Sequence, residues 1–160
     1  MLFRSVWLDY LMSSGIIVTR DGKRFYAEGL GAIFMANAIA ALPDPLATTV
    51  IADEKIWTER GTFRSLAPNP RLVEAGGTVF KAPTLDALAQ MAGLDAIGLK
   101  SEIAAYNDAV RSDRTAALTP TRSTAKFKPY PIVEAPFYAF PACAGITYTM
   151  GGIEIGRAHV

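Results

Sequence analysis

The residues best placed to do chemistry in this 160-residue chain lie near its end, in Ala144-Gly145-Ile146-Thr147-Tyr148-Thr149-Met150-Gly151-Gly152-Ile153. Adjacent glycines after a β-rich run let the backbone come very close to another group, either a flat ligand or a neighbouring strand. Beside them, the hydroxyls of Tyr148 and Thr149 can orient a carbonyl or hydroxyl, or Tyr148 can pack in a core. A second constellation is Arg24 and Glu28, opposite charges at a spacing that lets them pair and brace the fold without any substrate. Gly29-Leu30-Gly31 opens like a dinucleotide fingerprint, but Phe34 stands where a third glycine is needed and no ribose-binding acid follows at a suitable distance. Tight packing is the better reading of those glycines. No P-loop, nucleophile elbow, zinc cluster or calcium loop occurs in the sequence.

Histidine chemistry has one candidate, His159, inside the closing run Glu154 to Val160, EIGRAHV. That run can be encoded by GAG ATC GGA AGA GCA CAC GTC, the start of a common short-read sequencing adapter whose next bases are a stop. We therefore expect residues 154–160 to be an adapter-derived tail. With His159 and Arg157 set aside, Ser/His/Asp triads, Cys/His pairs and histidine metal sites lose their sole candidate. Cys143, the one cysteine, allows no internal disulfide, and with no basic neighbour to lower its pKa it reads as a small buried apolar group.

With 51% hydrophobic and 19% charged residues, the chain can bury one sizeable core, and its length favours one domain. Sixteen basic and 15 acidic residues are scattered through both halves, leaving a net charge of +1 and no field for phosphate backbones or anionic lipid. Nucleic acid is thus excluded as an expected partner. The longest apolar run, Leu30 to Leu42, is broken by Asn37 and is short of the roughly 20 residues that cross a bilayer. It reads as a buried helix. The start of the chain lacks the basic residues and small-residue cleavage site of a signal peptide, and the compartment stays open.

The elements that must position these residues follow from pattern. Ile16-Ile17-Val18 predicts a strand, Asp21-Gly22 a tight turn, and Arg24-Phe25-Tyr26 a returning strand. Leu30, Phe34, Asn37, Ala38 and Ala41 fall near helical spacing, with Pro43 and Pro45 as stops. Thr48 to Ala52 predicts a strand, Glu54 to Glu59 a helical turn carrying Trp57, and Gly61 to Gly77 a loop with a helical piece at Leu72 to Ala75. After a short strand at Val79 to Lys81, Thr84 caps a helix that runs to Met91 and is closed by Gly93, with Asp86 in its first turn. A second helix is expected from Lys100 to Arg111, with Ile103, Ala104, Tyr106, Asn107 and Val110 near one face. Pro120 to Pro136 reads as an extended connector into strands at Tyr138 to Pro141 and Ile146 to Met150. The mixed order predicts the α+β class.

Two separated motifs then carry a resemblance. Gly15 to Glu28, GIIVTRDGKRFYAE, resembles the G-x-(I/L)-V-N-x-x-G-x-R-F-x-N-E stretch of the fumarate reductase and 3-ketosteroid dehydrogenase flavoprotein family. Pro136-Phe137-Tyr138-Ala139, followed by Gly145 and Thr149-Met150-Gly151-Gly152, resembles that family's P-(F/Y)-Y-A … G-x-x-x-T-M-G-G, and Tyr106-Asn107 resembles a Y-N pair between them. The resemblance implies an FAD-dependent oxidoreductase in which a Rossmann-like FAD domain is interrupted by a substrate-capping domain. Residues 1–153 would be that capping region with its hinge-adjacent strands, the FAD Rossmann domain missing, so FAD would be held by the intact parent and the fragment would be inactive alone. Tyr148, Thr149, Gly151 and Gly152 would face the substrate and flavin, Tyr148 being the catalytic candidate, and Arg24 and Glu28 would be a structural brace. The partner implied is a small-molecule substrate, with no metal.

The departures matter as much. Fumarate reductases of this family place an arginine acid, and 3-ketosteroid dehydrogenases a catalytic tyrosine, where this chain has Ala32. Where the former have a histidine before T-M-G-G, Tyr148 stands here; it donates one hydrogen bond but carries no cation at neutral pH, which argues against a dicarboxylate substrate. The expected reaction is dehydrogenation or reduction of a carbon–carbon bond next to a carbonyl, chemistry that the flavin performs while the protein positions and protonates. The alternative is a stand-alone binding or interaction domain derived from such a cap, without redox activity.

Overall fold

The computed structural model describes residues 8–61, 73–74, 76–124 and 126–145. In chain order these form α1 (Leu8–Ser14), β1 (Ile16–Val18), a 3-10 turn (Glu28–Leu30), α2 (Ala32–Ala40), β2 (Thr48–Asp53) and a π-type turn (Ile56–Arg60). There follow β3 (Phe80–Ala82), α3 (Leu85–Ala92), α4 (Ala96–Arg111), a second 3-10 turn (Thr115–Ala117) and β4 (Phe137–Ala142). The strands make one sheet in the order β1-β2-β4-β3, every neighbouring pair antiparallel. Val50 at its centre pairs with Ile17 on one side and Phe140 on the other. All of β2 is buried, as expected of a central strand covered on both faces. The architecture is a small α+β unit.

Local chemistry explains several elements. The side chain of Thr84 accepts a hydrogen bond from the Ala87 N–H at 3.2 Å, and Gly93 closes α3 in the left-handed conformation. The next helix starts earlier than its apolar spacing predicts, at Ala96 rather than Lys100. Asp95 caps it by accepting from the N–H groups of Ile97 and Gly98. Gly98, which weakens the helix signal in the sequence, is where the turn at residues 19–22 docks: a Cβ there would collide with the Asp21 carbonyl. Within α4, Ile103, Tyr106 and Asn107 are buried as expected, but Ala104 is exposed.

Two expectations fail for physical reasons. The turn expected at Asp21-Gly22 forms, with Gly22 in the left-handed conformation and the Thr19 N–H donating to the Lys23 carbonyl, but the returning strand at Arg24-Phe25-Tyr26 does not: beyond the turn there is only a lone bridge between Val18 and Arg24. The guanidinium of Arg24 is drawn inside by Glu28, and β1 pairs instead with β2. The helix predicted as buried exists as α2, but its core-facing side chains are Met35 and Ile39, while Ile33 and Phe34 point outward. A helix that is apolar all round gives periodicity nothing with which to choose a face. The sequence was also too irregular to predict α1, whose Leu11 packs in the core. The strand expected at Ile146 to Met150 lies outside the described residues.

Candidate functional site

Arg24, Glu28 and Arg122 form a sealed ionic cluster. Glu28 is fully buried; its Oε1 accepts from the Ile17 N–H at 3.2 Å and from Arg24 Nε at 2.9 Å, and its Oε2 accepts from Arg24 Nη2 at 2.7 Å. Burial alone would lower the pKa of Arg24, but the bidentate contact with the Glu28 carboxylate outweighs it and raises it. Arg122, also buried, donates to the carbonyls of Ser13, Ser123 and Phe127, with its Nε 3.8 Å from Glu28 Oε2. Two guanidinium groups thus share one carboxylate, backbone carbonyls accept from their Nη groups, and the buried Nε of Arg122 is left without a hydrogen-bond partner. Gly29 lets this happen: a Cβ on it would strike Ser123 and Arg122, so its role is close packing and not phosphate contact.

Above the cluster, Tyr106 has its hydroxyl buried without a hydrogen-bond partner and its ring 5.4 Å from the Arg24 guanidinium. Burial pushes its pKa up to about 12, despite the opposing charge of Arg122. Next to it, Asn107 clasps the connector reciprocally, donating to the Ile132 carbonyl at 2.8 Å and accepting from the Ile132 N–H at 2.7 Å. Buried Asp53 accepts from the N–H groups of Ile56, Val133 and Glu134. Arg122, Asn107 and Asp53 therefore hang the connector, which has little regular structure of its own, from buried side chains. It enters β4 at Phe137, opposite Asp53.

Tyr138, within the Pro136-Phe137-Tyr138-Ala139 motif, stacks on Trp57 with ring centroids 4.9 Å apart and donates to Glu54 Oε2, while Lys81 Nζ lies 5.3 Å over its ring. Burial first, then the bond to Glu54, raises its pKa. Sequence reasoning missed Arg122, Asp53 and the Trp57–Tyr138 stack. Arg122 and Asp53 are hard to pick out locally, because the partners that make them structural, Ser13 and Glu28 for Arg122 and Val133 and Glu134 for Asp53, are distant in the chain.

Tyr148, Thr149, Gly151 and Gly152 lie outside the described residues, as does His159; of the residues just before them, Cys143 and Gly145 are exposed, against the expectation that Cys143 is buried. Among the described residues, no group of histidine, cysteine, aspartate and glutamate is placed to hold a metal ion, and no helix is long and apolar enough to cross a membrane. The buried polar side chains of Asp53, Asn107 and Arg122 are spent on the chain's own backbone, and a depression lined by Thr19, Arg20, Leu42 and Asp44 is open and crossed by the exposed Arg20–Asp44 pair. Among the described residues, Leu30, Ile33 and Phe34 face outward, 40%, 74% and 60% exposed.

Comparison with known proteins decides the family. The one described as "FAD binding domain" matches residues 9–158. The chain belongs to this FAD-binding family. Among its relatives, an NADH:fumarate oxidoreductase from Klebsiella pneumoniae is 30% identical over 153 residues, 92% of this chain and 15% of that protein. A probable fumarate reductase from Shewanella frigidimarina is 26% identical over 88% of this chain and 22% of its own length. The chain thus spans about a fifth or less of these curated relatives. In fold it is similar to a 3-ketosteroid Δ1-dehydrogenase from Sterolibacterium denitrificans, with TM-score 0.65, 22% identity, and 88% of this chain and 28% of that one covered. It is similar also to the solution structure of a fumarate reductase flavoprotein subunit from Lactobacillus plantarum, with TM-score 0.60 and 16% identity. There, 91% of this chain matches 94% of the other.

Proposed function

We propose that residues 1–153 are the capping region of an FAD-dependent oxidoreductase that dehydrogenates or reduces a carbon–carbon bond next to a carbonyl. The observation that carries this reading is spatial. The motif that includes β1 and the motif that includes β4, more than a hundred residues apart, flank the same strand β2 in a unit that spans only part of its relatives. In this reading FAD, which supplies the hydride chemistry, is held by the rest of the parent, and the cap encloses the substrate. Gly151 and Gly152 approach the flavin by backbone, Tyr148 and Thr149 orient the substrate's oxygen, and the Arg24–Glu28 pair braces the element from which the cap is built.

The parent protein should purify yellow and keep FAD through gel filtration, whereas the 160-residue chain mixed with FAD should elute colourless. A colourless parent sinks the proposal. Tyr148→Phe in the yellow parent should lower kcat with flavin content unchanged; an unaltered kcat removes Tyr148 from the site. A second reading is a stand-alone binding domain without redox activity; the Lactobacillus plantarum structure, a chain of nearly the same extent, supports only that such a unit folds by itself. This second reading predicts no flavin in any product of the locus.

A further inference from the structure

We propose that the Arg24–Glu28–Arg122 cluster encloses a binding site for one neutral molecule that both donates and accepts hydrogen bonds, a structural water held between Arg122 Nε, Glu28 Oε2 and the Tyr106 hydroxyl. Such a site depends neither on a flavin nor on the capping reading.

The unpaired groups of the core gather here. Among the described residues, the buried side-chain polar atoms without a protein partner are Ser13 Oγ, Tyr26 OH, Tyr106 OH and Arg122 Nε. All four belong to the cluster or to residues in contact with it. The Ser13 carbonyl accepts from Arg122 Nη2 at 2.5 Å, the Tyr26 carbonyl accepts from Arg24 Nη2 at 3.1 Å, and the Tyr106 ring lies 5.4 Å from the Arg24 guanidinium. Asp53 and Asn107, also buried, find backbone partners instead. Buried polar groups are as a rule satisfied by protein or by ordered water, so orphans collected at one place mark a hydrated site.

The protein cannot satisfy these atoms by a small shift. Arg122 Nε stands 3.8 Å from Glu28 Oε2, too far for a direct hydrogen bond and a separation that one water can span. Both sides are pinned. Arg122 Nη1 and Nη2 are fixed on the carbonyls of Phe127 and Ser13, with Gly29 packed against Nη1. Glu28 is fixed by the Ile17 N–H and by two bonds from Arg24. The Tyr106 hydroxyl is close enough to Arg122 and Glu28 for their charges to act on its titration, yet it makes no hydrogen bond to either.

Charge selects the ligand. A cation would face two guanidinium groups, and an anion accepting from Arg122 Nε would lie against the Glu28 oxygen. Water accepts from Nε and donates to Oε2, meeting both demands without burying a further charge.

The test uses the 160-residue chain and its Tyr106→Phe variant. A crystal structure at atomic resolution should show one ordered oxygen about 2.6–3.2 Å from both Arg122 Nε and Glu28 Oε2, with no anomalous peak there after a bromide soak. In solution, nuclear Overhauser cross-peaks between water and the ring protons at position 106 should report a residence longer than that of surface hydration. They should persist in Tyr106→Phe, which lacks the exchangeable phenol proton but keeps the contacts of Arg122 and Glu28. A direct Arg122–Glu28 bond through Nε overturns the proposal, as does a dry site with the side chains unmoved. A bromide peak overturns it too, by making the ligand an anion, and cross-peaks that vanish in Tyr106→Phe would show that they came from phenol exchange and not from a held water.

Discussion

The α3–α4 hairpin and the segment from Glu28 to Ala40 use opposite arrangements. In the hairpin the apolar side chains Leu88, Leu99 and Ile103 face the core, while ion pairs such as Lys100–Asp86 and Arg114–Asp108 are exposed to solvent. In the other segment the one charge, Glu28, lies inside against Arg24 and Arg122 from neighbouring segments, and apolar side chains lie outside at Ile33 and Phe34. The hairpin carries caps at Thr84 and Asp95, buries Leu88, Leu99 and Ile103, and leaves Met91 and Ile97 exposed singly. The other segment spends buried charge to hold a surface that is not covered by the described residues.

The comparison predicts where substitutions hurt most. Glu28→Ala leaves two buried guanidinium groups without their carboxylate and should cost about 3–5 kcal/mol, enough to leave a marginal unit largely unfolded by circular dichroism in dilute urea. If Glu28→Ala costs under about 1 kcal/mol, the cluster is not the anchor claimed. Asp53→Ala strands three backbone N–H groups and should cost roughly 2–4 kcal/mol, with faster hydrogen exchange at Val133 and Glu134 than in α3.

Next in size is an alkaline effect. Tyr106 titrates near 10 when unfolded and at about 12 when folded, so the unfolded chain releases its proton first. The stability it confers is complete below pH 10 and is lost as pH rises through 12, by roughly 2–3 kcal/mol. Chemical denaturation between pH 9 and 12 should show this fall, and Tyr106→Phe should remove its share, leaving the contributions of Tyr26 and Tyr138, whose pKa values are also raised, while costing little at neutral pH, since the hydroxyl has no hydrogen-bond partner. The hairpin should give the smallest effects: about 1 kcal/mol for Thr84→Ala from the lost cap, and at most about 0.5 kcal/mol for Lys100→Ala, an exposed pair. A Lys100→Ala loss rivalling that of Glu28→Ala would erase the contrast between the two regions.

By itself the sequence determined what local physics controls. The Ile16-Ile17-Val18 strand, the stop of α2 before Pro43, the Thr84 cap, the Gly93 terminus and the extended connector follow from propensity, capping and backbone restriction within a few residues. Two short motifs were enough to point to the family as well. The tertiary structure decided which face of α2 is buried, that Arg24 turns inward and ends the hairpin, and that Arg122, Asn107 and Asp53 suspend the connector. The physical reason is range. A cap or a turn is settled by residues within four positions, whereas a buried charge or hydrogen-bonding side chain is stable only where partners up to a hundred residues away complete it.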